Sequence, residues 1–168
     1  MRAPGHKLEV RFGRSDREAF RFRSLLRFKR FDIPFLPVPL LLVVAAAPGG
    51  SDTVFDAVLI GAPTGKLRVL TPQHWHTTLE GGLHLGPLGA DRGSGVAVWN
   101  MLWNPGQSRL EPHRYEVQFY LWQRDHFATG EKRVTAGHHE SWEGAAKELG
   151  VTELRNVLLD FEDFEALR

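Results

Sequence analysis

The sequence predicts an α+β fold in which a mainly antiparallel β-sheet, a sandwich or open barrel of about six to eight strands, is closed by two C-terminal helices. Three observations predict it. Apolar and polar residues alternate with a period of two along much of the chain before residue 136. Clusters of glycine and proline separate these alternating segments. After residue 138 the apolar residues recur with helical spacing.

The β-rich part is predicted to span residues 1–136, and its strands lie where apolar or alternating runs are bounded by turn residues. They are Leu8–Phe12, Phe20–Lys29, Leu40–Ala47, Thr53–Ile60, Lys66–Leu70, Val96–Trp103, Tyr115–Trp122 and Lys132–Thr135. The fourth and fifth of these are expected to form a hairpin. Thr129-Gly130 is predicted as the turn before the last strand, and the glycines between Gly81 and Gly95 predict an irregular loop or a bulged edge.

Residues 139–168 are predicted to be helical. Ser141 is a good N-cap for a short helix that ends at Gly150, and Thr152 is expected to cap a second helix. The apolar residues that would share one face of this second helix are Leu154, Val157, Leu158, Phe161 and Leu167. We expect this face to pack on the sheet as a lid, and the whole chain, 1–168, to form a single domain.

The composition is that of an ordinary globular protein, with 42% hydrophobic and 24% charged residues. The sequence contains no cysteine, which excludes disulfides, thiolate metal sites and cysteine nucleophiles and fits a cytoplasmic location. The most apolar stretch, Ile33–Ala47, is shorter than a membrane span, and three prolines interrupt its first half. We therefore expect a buried strand there and no membrane association.

The segment Phe20–Lys29 predicts a strand with a basic face. Read with a period of two, it places Phe20, Phe22, Leu26 and Phe28 on an apolar inner face and Arg21, Arg23, Arg27 and Lys29 on the outer face. The spacing of the four cations is close to that of the phosphates in an extended nucleic-acid strand. An alternative reading is a charged edge strand, since cations on an edge deter sheet-to-sheet aggregation.

Charge is distributed unevenly along the chain. Residues 1–31 contain ten basic groups against three acidic ones, whereas residues 138–168 contain eight acidic groups against three basic ones. This asymmetry favours an anionic partner, either nucleic acid or an acidic protein surface, although the two ends could equally dock on each other. The oligomeric state stays open.

The densest polar cluster in the sequence is Pro72-Gln73-His74-Trp75-His76-Thr77-Thr78-Leu79-Glu80. On a strand, His74 and His76 would point to the same face, with Glu80 further along that face. Two imidazoles and a carboxylate are a ligand set that suits Fe(II), Mn and related divalent metals such as Zn. The cluster is therefore a candidate metal site, with the alternative of a hydrogen-bonded histidine pair at a strand end.

The proline before this pair, the His-x-His spacing and the Glu four residues after the second His resemble the first metal motif of cupins. Cupins are small β-barrels that bind a metal inside the barrel, and the resemblance implies a metal-dependent enzyme using His74, His76 and Glu80. In cupins a Pro-x-Gly turn closely followed by His supplies the fourth ligand. Here Pro105-Gly106 is followed only later by His113, so the pattern leaves the fourth ligand open between His113 and His84.

The sequence favours a non-catalytic binding or accessory module that engages an anionic partner through Arg21, Arg23, Arg27 and Lys29. The alternatives are the cupin-like metal-dependent enzyme and a protein–protein regulator. In the regulator, the tryptophans and the acidic C-terminal helix would form the contact surface.

Overall fold

The computed structural model describes residues 25–33, 36, 38–49, 52–78, 80–89 and 92–161. Every strand pairing within them is antiparallel, which confirms the mainly antiparallel β architecture. In chain order the elements are β1 Leu25–Phe31, β2 Leu40–Gly49, β3 Asp52–Gly61, β4 Arg68–Val69, β5 Trp75–Thr78, β6 Gly82–Pro87, β7 Ser94–Leu102, β8 Arg114–Gln123, β9 His126–Val134, α1 Trp142–Leu149 and a 3-10 helix Val157–Asp160.

The strands form two sheets that pack face to face. The first sheet has the order β1-β2-β3-β4, with β5 also paired to β3, and the second has the order β6-β7-β8-β9. The core between them draws on both sheets, with Leu42 and Ala57 from the first and Val98 and Tyr120 from the second. The predicted hairpin of Thr53–Ile60 and Lys66–Leu70 is confirmed, because β3 and β4 pair antiparallel.

The apolar run Leu40–Ala47 lies in β2, and residues on both of its faces are buried, as predicted. Leu42 and Val44 are fully buried in the core between the sheets. Val43 points to the other face and packs with Val58. In the part of the chain that the structure describes, no helix is long and apolar enough to cross a membrane.

Helix α1 covers the outer face of the second sheet. Its residues Ala146 and Leu149 pack with Trp99 and Phe119, and the ring of Trp142 stacks on that of Trp99 with centroids 4.7 Å apart. The helix follows the predicted N-cap, Ser141, and ends at the predicted C-cap, Gly150, whose φ is 67°. The short helix predicted here is therefore confirmed.

Hydrogen bonds join the two sheets at two corners. At the first, the Thr77 hydroxyl donates to the carbonyl oxygen of Trp99 over 2.9 Å. At the second, the backbone N–H of Phe127 donates to the carbonyl oxygen of Leu70 over 2.8 Å. Both bonds join a group of the first sheet or its flank to the backbone of the second sheet, so they fix the position of one sheet on the other.

Gly81 and Gly82 allow the chain to cross from the first sheet to the second. A Cβ at Gly81 would lie 2.4 Å from the Trp99 carbonyl oxygen, and a Cβ at Gly82 would lie 2.2 Å from the Trp99 ring. No side chain fits at either distance, so the backbone can approach the buried indole only because both residues are glycine.

Two predictions about the region after Gly81 are wrong. The first half of the glycine-rich segment is not irregular, because β6 pairs regularly with β7 from Gly82 opposite Trp99 to Pro87 opposite Ser94, and only the described residues between these strands are irregular, with positive φ at Gly89 and Gly93. The last hairpin turns at Arg124-Asp125, where Arg124 has a φ of 55°, and Thr129 and Gly130 lie within β9.

The second predicted C-terminal helix does not form in the described residues after Gly150, where the only helical element is the 3-10 helix at 157–160. Asn156 holds the preceding chain against β6, because its carboxamide oxygen accepts from the Leu83 and Leu158 N–H groups and its Nδ2 donates to the Gly81 carbonyl. The apolar residues predicted for this helix are buried all the same, namely Leu154, Val157, Leu158 and Phe161. Residues 162–168, like the predicted strand at 8–12, lie outside the described residues.

Replacing Gly82 with Ala is expected to destabilise the fold by about 2–3 kcal/mol, because the added methyl would overlap the buried Trp99 ring. Urea denaturation followed by tryptophan fluorescence measures this change. The control is Gly137→Ala, where the atom nearest to the added Cβ is a carboxylate oxygen of Glu148 at 3.3 Å. Equal stabilities for the two variants would show that the corner does not require a bare backbone.

Candidate functional site

The inner face of the second sheet changes from apolar to polar along its strands. Residues opposite each other in an antiparallel pair share a face, so the register defines rows across the sheet. From the core outward the rows are Val96–Tyr120–Thr129, Val98–Gln118–Lys132 and Asn100–Glu116–Val134. Val96 and Tyr120 of the first row belong to the hydrophobic core, whereas in the last row Asn100 and Glu116 are polar and Val134 is 40% exposed.

A cleft of about 800 Å³ lies over the polar part of this face. Its lining combines ten polar residues (Asp56, Gln73, His74, His76, Thr78, Asn100, Glu116, Gln118, Tyr120 and Lys132) with three apolar ones (Trp75, Val98 and Met101). Clefts of about 300–1,000 Å³ accommodate small organic ligands. This is therefore the candidate functional site.

Strand β5 forms the wall of the cleft. His76 lies directly opposite Asp56 in the pairing of β5 with β3, and His76 Nδ1 is 2.9 Å from Asp56 Oδ1. The side-chain amide of Asn100 donates to the His76 carbonyl oxygen over 3.1 Å. The wall is thus hydrogen-bonded to β3 on one side and to β7 on the other. The face of β7, β8 and β9 that lines the cleft is called its floor here.

The floor carries one ion pair and one buried phenol. Lys132 Nζ is 2.6 Å from Glu116 Oε2, and the side chain of Lys132 is 50% exposed. Burial raises the pKa of Tyr120 above its ordinary value of 10.0, so its hydroxyl stays neutral near pH 7. The Gln73 amide donates to this hydroxyl over 3.4 Å.

Gln118 stabilises the floor at an irregularity in the strand pairing. The register of β8 with β9 shifts between Gln118 and Tyr120. The Gln118 Nε2 lies 3.0, 2.9 and 3.0 Å from the carbonyl oxygens of Phe119, Gly130 and Glu131, which the shifted ladder leaves available. The side chain thereby replaces backbone hydrogen bonds that the irregularity removes.

The structure separates the four residues predicted to bind a metal. His74 and His76 line the cleft. Glu80 instead forms an ion pair with Arg109, whose Nε lies 3.0 Å from Glu80 Oε1. His113 is buried, and its two ring nitrogens lie 3.2 and 2.9 Å from the carbonyl oxygens of Leu102 and Ser108. Across the described ranges, no group of three or more His, Asp or Glu side chains could hold a metal ion.

The cations predicted to form a basic outer face are oriented differently from the prediction. Arg27 and Lys29 lie opposite Val44 and Leu42, which face the inter-sheet core, so both cations are on the core side of β1. Phe28, expected inside, is 71% exposed. Because β1 ends the strand order of its sheet, a long lysine side chain can reach past the core to polar groups at the edge, and Lys29 Nζ lies 3.8 Å from Asp160 Oδ2. Arg21 and Arg23 lie outside the described residues.

Sequence reasoning missed most of the residues that line the cleft. Glu116 and Gln118 alternate with the buried Val117 and Phe119, a pattern that is typical of a strand with one face in solvent. The register places this face toward the other sheet, because Gln118 is in the same row as the core residue Val98. Asp56 stands between apolar residues in β3, which is the one local sign that it is unusual.

Away from the cleft, hydrogen bonds to Glu148 fix the segment that leads into α1. Glu148 Oε2 lies 2.6 Å from His139 Nε2, and Glu148 also accepts from the backbone N–H groups of Ala136 and Gly137. The hydrogen bond with His139, followed by that with the Ala136 N–H, holds the pKa of Glu148 below its ordinary value of 4.5. His139 forms a backbone bridge to His113, so this contact also supports the start of β8.

Because its pKa is lowered by folding, the Glu148 carboxylate stabilises the protein at pH values above 4.5, and this contribution is lost as the pH falls through the folded-state pKa. Glu148→Gln is expected to lower the melting temperature at neutral pH and to lose less stability than the wild type on acidification. Calorimetry across pH measures both effects. Glu140→Gln, at an exposed position in the same segment, is the control. Parallel pH profiles for wild type and Glu148→Gln would contradict this account.

Comparison with known proteins finds no matching family model, no matching curated protein and no matching solved structure. The chemistry of the cleft is therefore the ground on which a function is assigned.

Proposed function

We propose that the protein binds a small, polar, uncharged organic molecule in the cleft between β5 and the face of β7, β8 and β9. The observation that carries this proposal is the change along the inner face of the second sheet. Positions that would be apolar if they only closed the sandwich are Asn100, Glu116 and Gln118. Polar side chains in core-facing rows do not contribute to hydrophobic packing, and such departures from the folding pattern concentrate at functional sites.

The charged groups that line the cleft favour an uncharged ligand. Two carboxylates, Asp56 and Glu116, line the cleft against one ammonium group, that of Lys132. Each carboxylate already contacts a partner, Asp56 with His76 and Glu116 with Lys132. A phosphate or another polyanion would meet unfavourable carboxylates there, whereas hydroxyl and amide groups find both donors and acceptors.

Lys132→Met is expected to weaken ligand binding about tenfold, because the variant removes an ammonium donor from the cleft and leaves the Glu116 carboxylate without its partner. A library of neutral sugars, polyols, nucleosides and amides, screened by ligand-observed NMR, identifies binders of the wild type and measures their affinities for the variant. The matched control is Lys147→Met, which removes an exposed lysine of α1 away from the cleft.

Binders whose affinity falls in Lys132→Met but not in Lys147→Met would support the cleft as the site. The proposal would be overturned if no compound of the library bound, or if every binder were insensitive to Lys132.

Recognition of an anionic partner through β1 is a second candidate function. β1 ends the strand order of the first sheet, and the side chains of Lys29 and Arg30 are 43% and 69% exposed. These groups could contact phosphates without unfolding any described element. Lys29 would first have to exchange its contact with Asp160 for the partner, and such partly exposed pairs are worth only about 1 kcal/mol or less.

If this second function holds, Lys29→Ser/Arg30→Ser should reduce the salt dependence of nucleic-acid binding. Two lost phosphate contacts are expected to lower the slope of log affinity against log salt by about 1.5. Fluorescence anisotropy with labelled single- and double-stranded oligonucleotides across a salt series measures the slope. The control is Lys66→Ser/Lys147→Ser, which also removes two exposed cations. Equal slopes for the two double variants would rule out specific use of β1.

A further inference from the structure

His76 and Asp56 form a hydrogen-bonded pair at the edge of the cleft. The register of β5 with β3 places the two residues directly opposite each other, and Nδ1 of His76 is 2.9 Å from Oδ1 of Asp56. The Asp56 side chain is only 14% exposed, whereas that of His76 is 41% exposed. The Asp56 carboxylate is therefore mostly buried, whereas the His76 imidazole is exposed at the surface of the cleft.

This contact determines which nitrogen of His76 can act as a base. An ionised carboxylate only accepts hydrogen bonds, so Nδ1 must carry the proton that is shared with Asp56. In the neutral imidazole the lone pair then resides on Nε2. Among the described residues Nε2 has no hydrogen-bond partner, so it is available to a molecule in the cleft.

Two other histidines of the described chain show the contrasting arrangement. His84 uses both nitrogens structurally, since Nδ1 accepts from the Arg155 N–H over 2.9 Å and Nε2 lies 2.9 Å from the Pro87 carbonyl oxygen. Both nitrogens of His113 face backbone carbonyl oxygens. These two rings hold loops together, whereas His76 combines an orienting carboxylate with a free nitrogen on a ligand-sized cleft.

We propose that His76 is a general base, positioned by Asp56, for the hydrolysis of a neutral carboxylic ester bound in the cleft. Water transfers a proton to Nε2 as its oxygen forms a bond to the ester carbonyl carbon. The carbon–oxygen bond to the leaving group then breaks, and the proton returns from Nε2 to the departing oxygen. The inference rests on the cleft being a ligand site and names the substrate class that its charge favours.

A neutral ester suits the lining better than a phosphate ester. Asp56 and Glu116 repel an anionic substrate, and the Lys132 ammonium is the group in the lining that would stabilise negative charge on the carbonyl oxygen. No covalent attachment to the protein is required, because water is the nucleophile. Each reaction consumes one ester and one water molecule and releases one carboxylic acid and one alcohol, so the atoms balance.

The probe is p-nitrophenyl acetate, whose hydrolysis is followed by the release of p-nitrophenolate. We expect His76→Gln to lower kcat about 100-fold and Asp56→Asn about tenfold or more, with KM nearly unchanged in both, since general-base catalysis contributes about 10²–10⁴ to the rate. Hydrolysis by the wild type should also be slower in D2O, because a proton moves in the rate-limiting step.

The matched control is His126→Gln. His126 Nδ1 is 3.0 Å from Asp125 Oδ1, so it forms a similar pair, but it lies beside the β8–β9 turn and does not line the cleft. This variant should hydrolyse the probe at the wild-type rate. Nitrogen-15 NMR of the imidazoles adds a second readout. The His76 Nδ1–H tautomer should dominate in the wild type and decrease in Asp56→Asn, a change that a merely structural contact with the backbone would not produce.

Equal rates for the wild type and His76→Gln would overturn the proposal, as would the absence of a solvent isotope effect or an equal loss in His126→Gln. These failures are distinct from failure of the ligand site itself. If library compounds still bound in a Lys132-dependent way, the cleft would stand as a binding site without this chemistry. If no compound bound and the probe was not hydrolysed, both proposals would fall.

Discussion

The approach of the Gly82 backbone to the Trp99 indole is the contact on which the rest of the structure depends. It lets the chain pass from β5 into β6, and so from the first sheet into the second, within three residues. The same indole stacks on Trp142 of α1, and the backbone carbonyl oxygen of Trp99 accepts a hydrogen bond from the Thr77 hydroxyl. One buried tryptophan thus links both sheets and the helix, and its removal would loosen three interfaces together.

The cleft follows from this corner. Thr77 and Asn100 bind β5 to β7 at the point where the inner face of the second sheet turns polar. Beyond Val98 and Tyr120 the hydrophobic core ends, and the remaining rows of the sheet face the cleft instead of a second apolar layer. The polar residues there are rigidly placed because they stand on regular strands, which is the arrangement that precise binding or catalytic sites require.

The elements that the sequence predicted correctly are those that neighbouring residues in the sequence determine. The apolar run of β2, the β3–β4 hairpin and the caps of α1 all follow from adjacent residues. The start of strand β6 was not predictable, because its first glycine, Gly82, is required by the close approach to Trp99, which is distant in sequence. The site was predictable only in part. His74 and His76 were recognisable as a motif. The contact of His76 with Asp56 was not, because it depends on the β3–β5 register between residues 20 positions apart. Glu80 forms an ion pair with Arg109, which no local pattern indicates.

The Gln118 carboxamide has a consequence for how tightly the cleft can hold a ligand. Its contacts with three carbonyl oxygens immobilise the backbone at the strand irregularity before anything binds. A ligand that enters therefore loses its own freedom and restricts a few exposed side chains such as Lys132, but it does not have to order the floor. Association should accordingly be fast and close to rigid-body, with heat-capacity changes that reflect the buried ligand surface and not the folding of a loop.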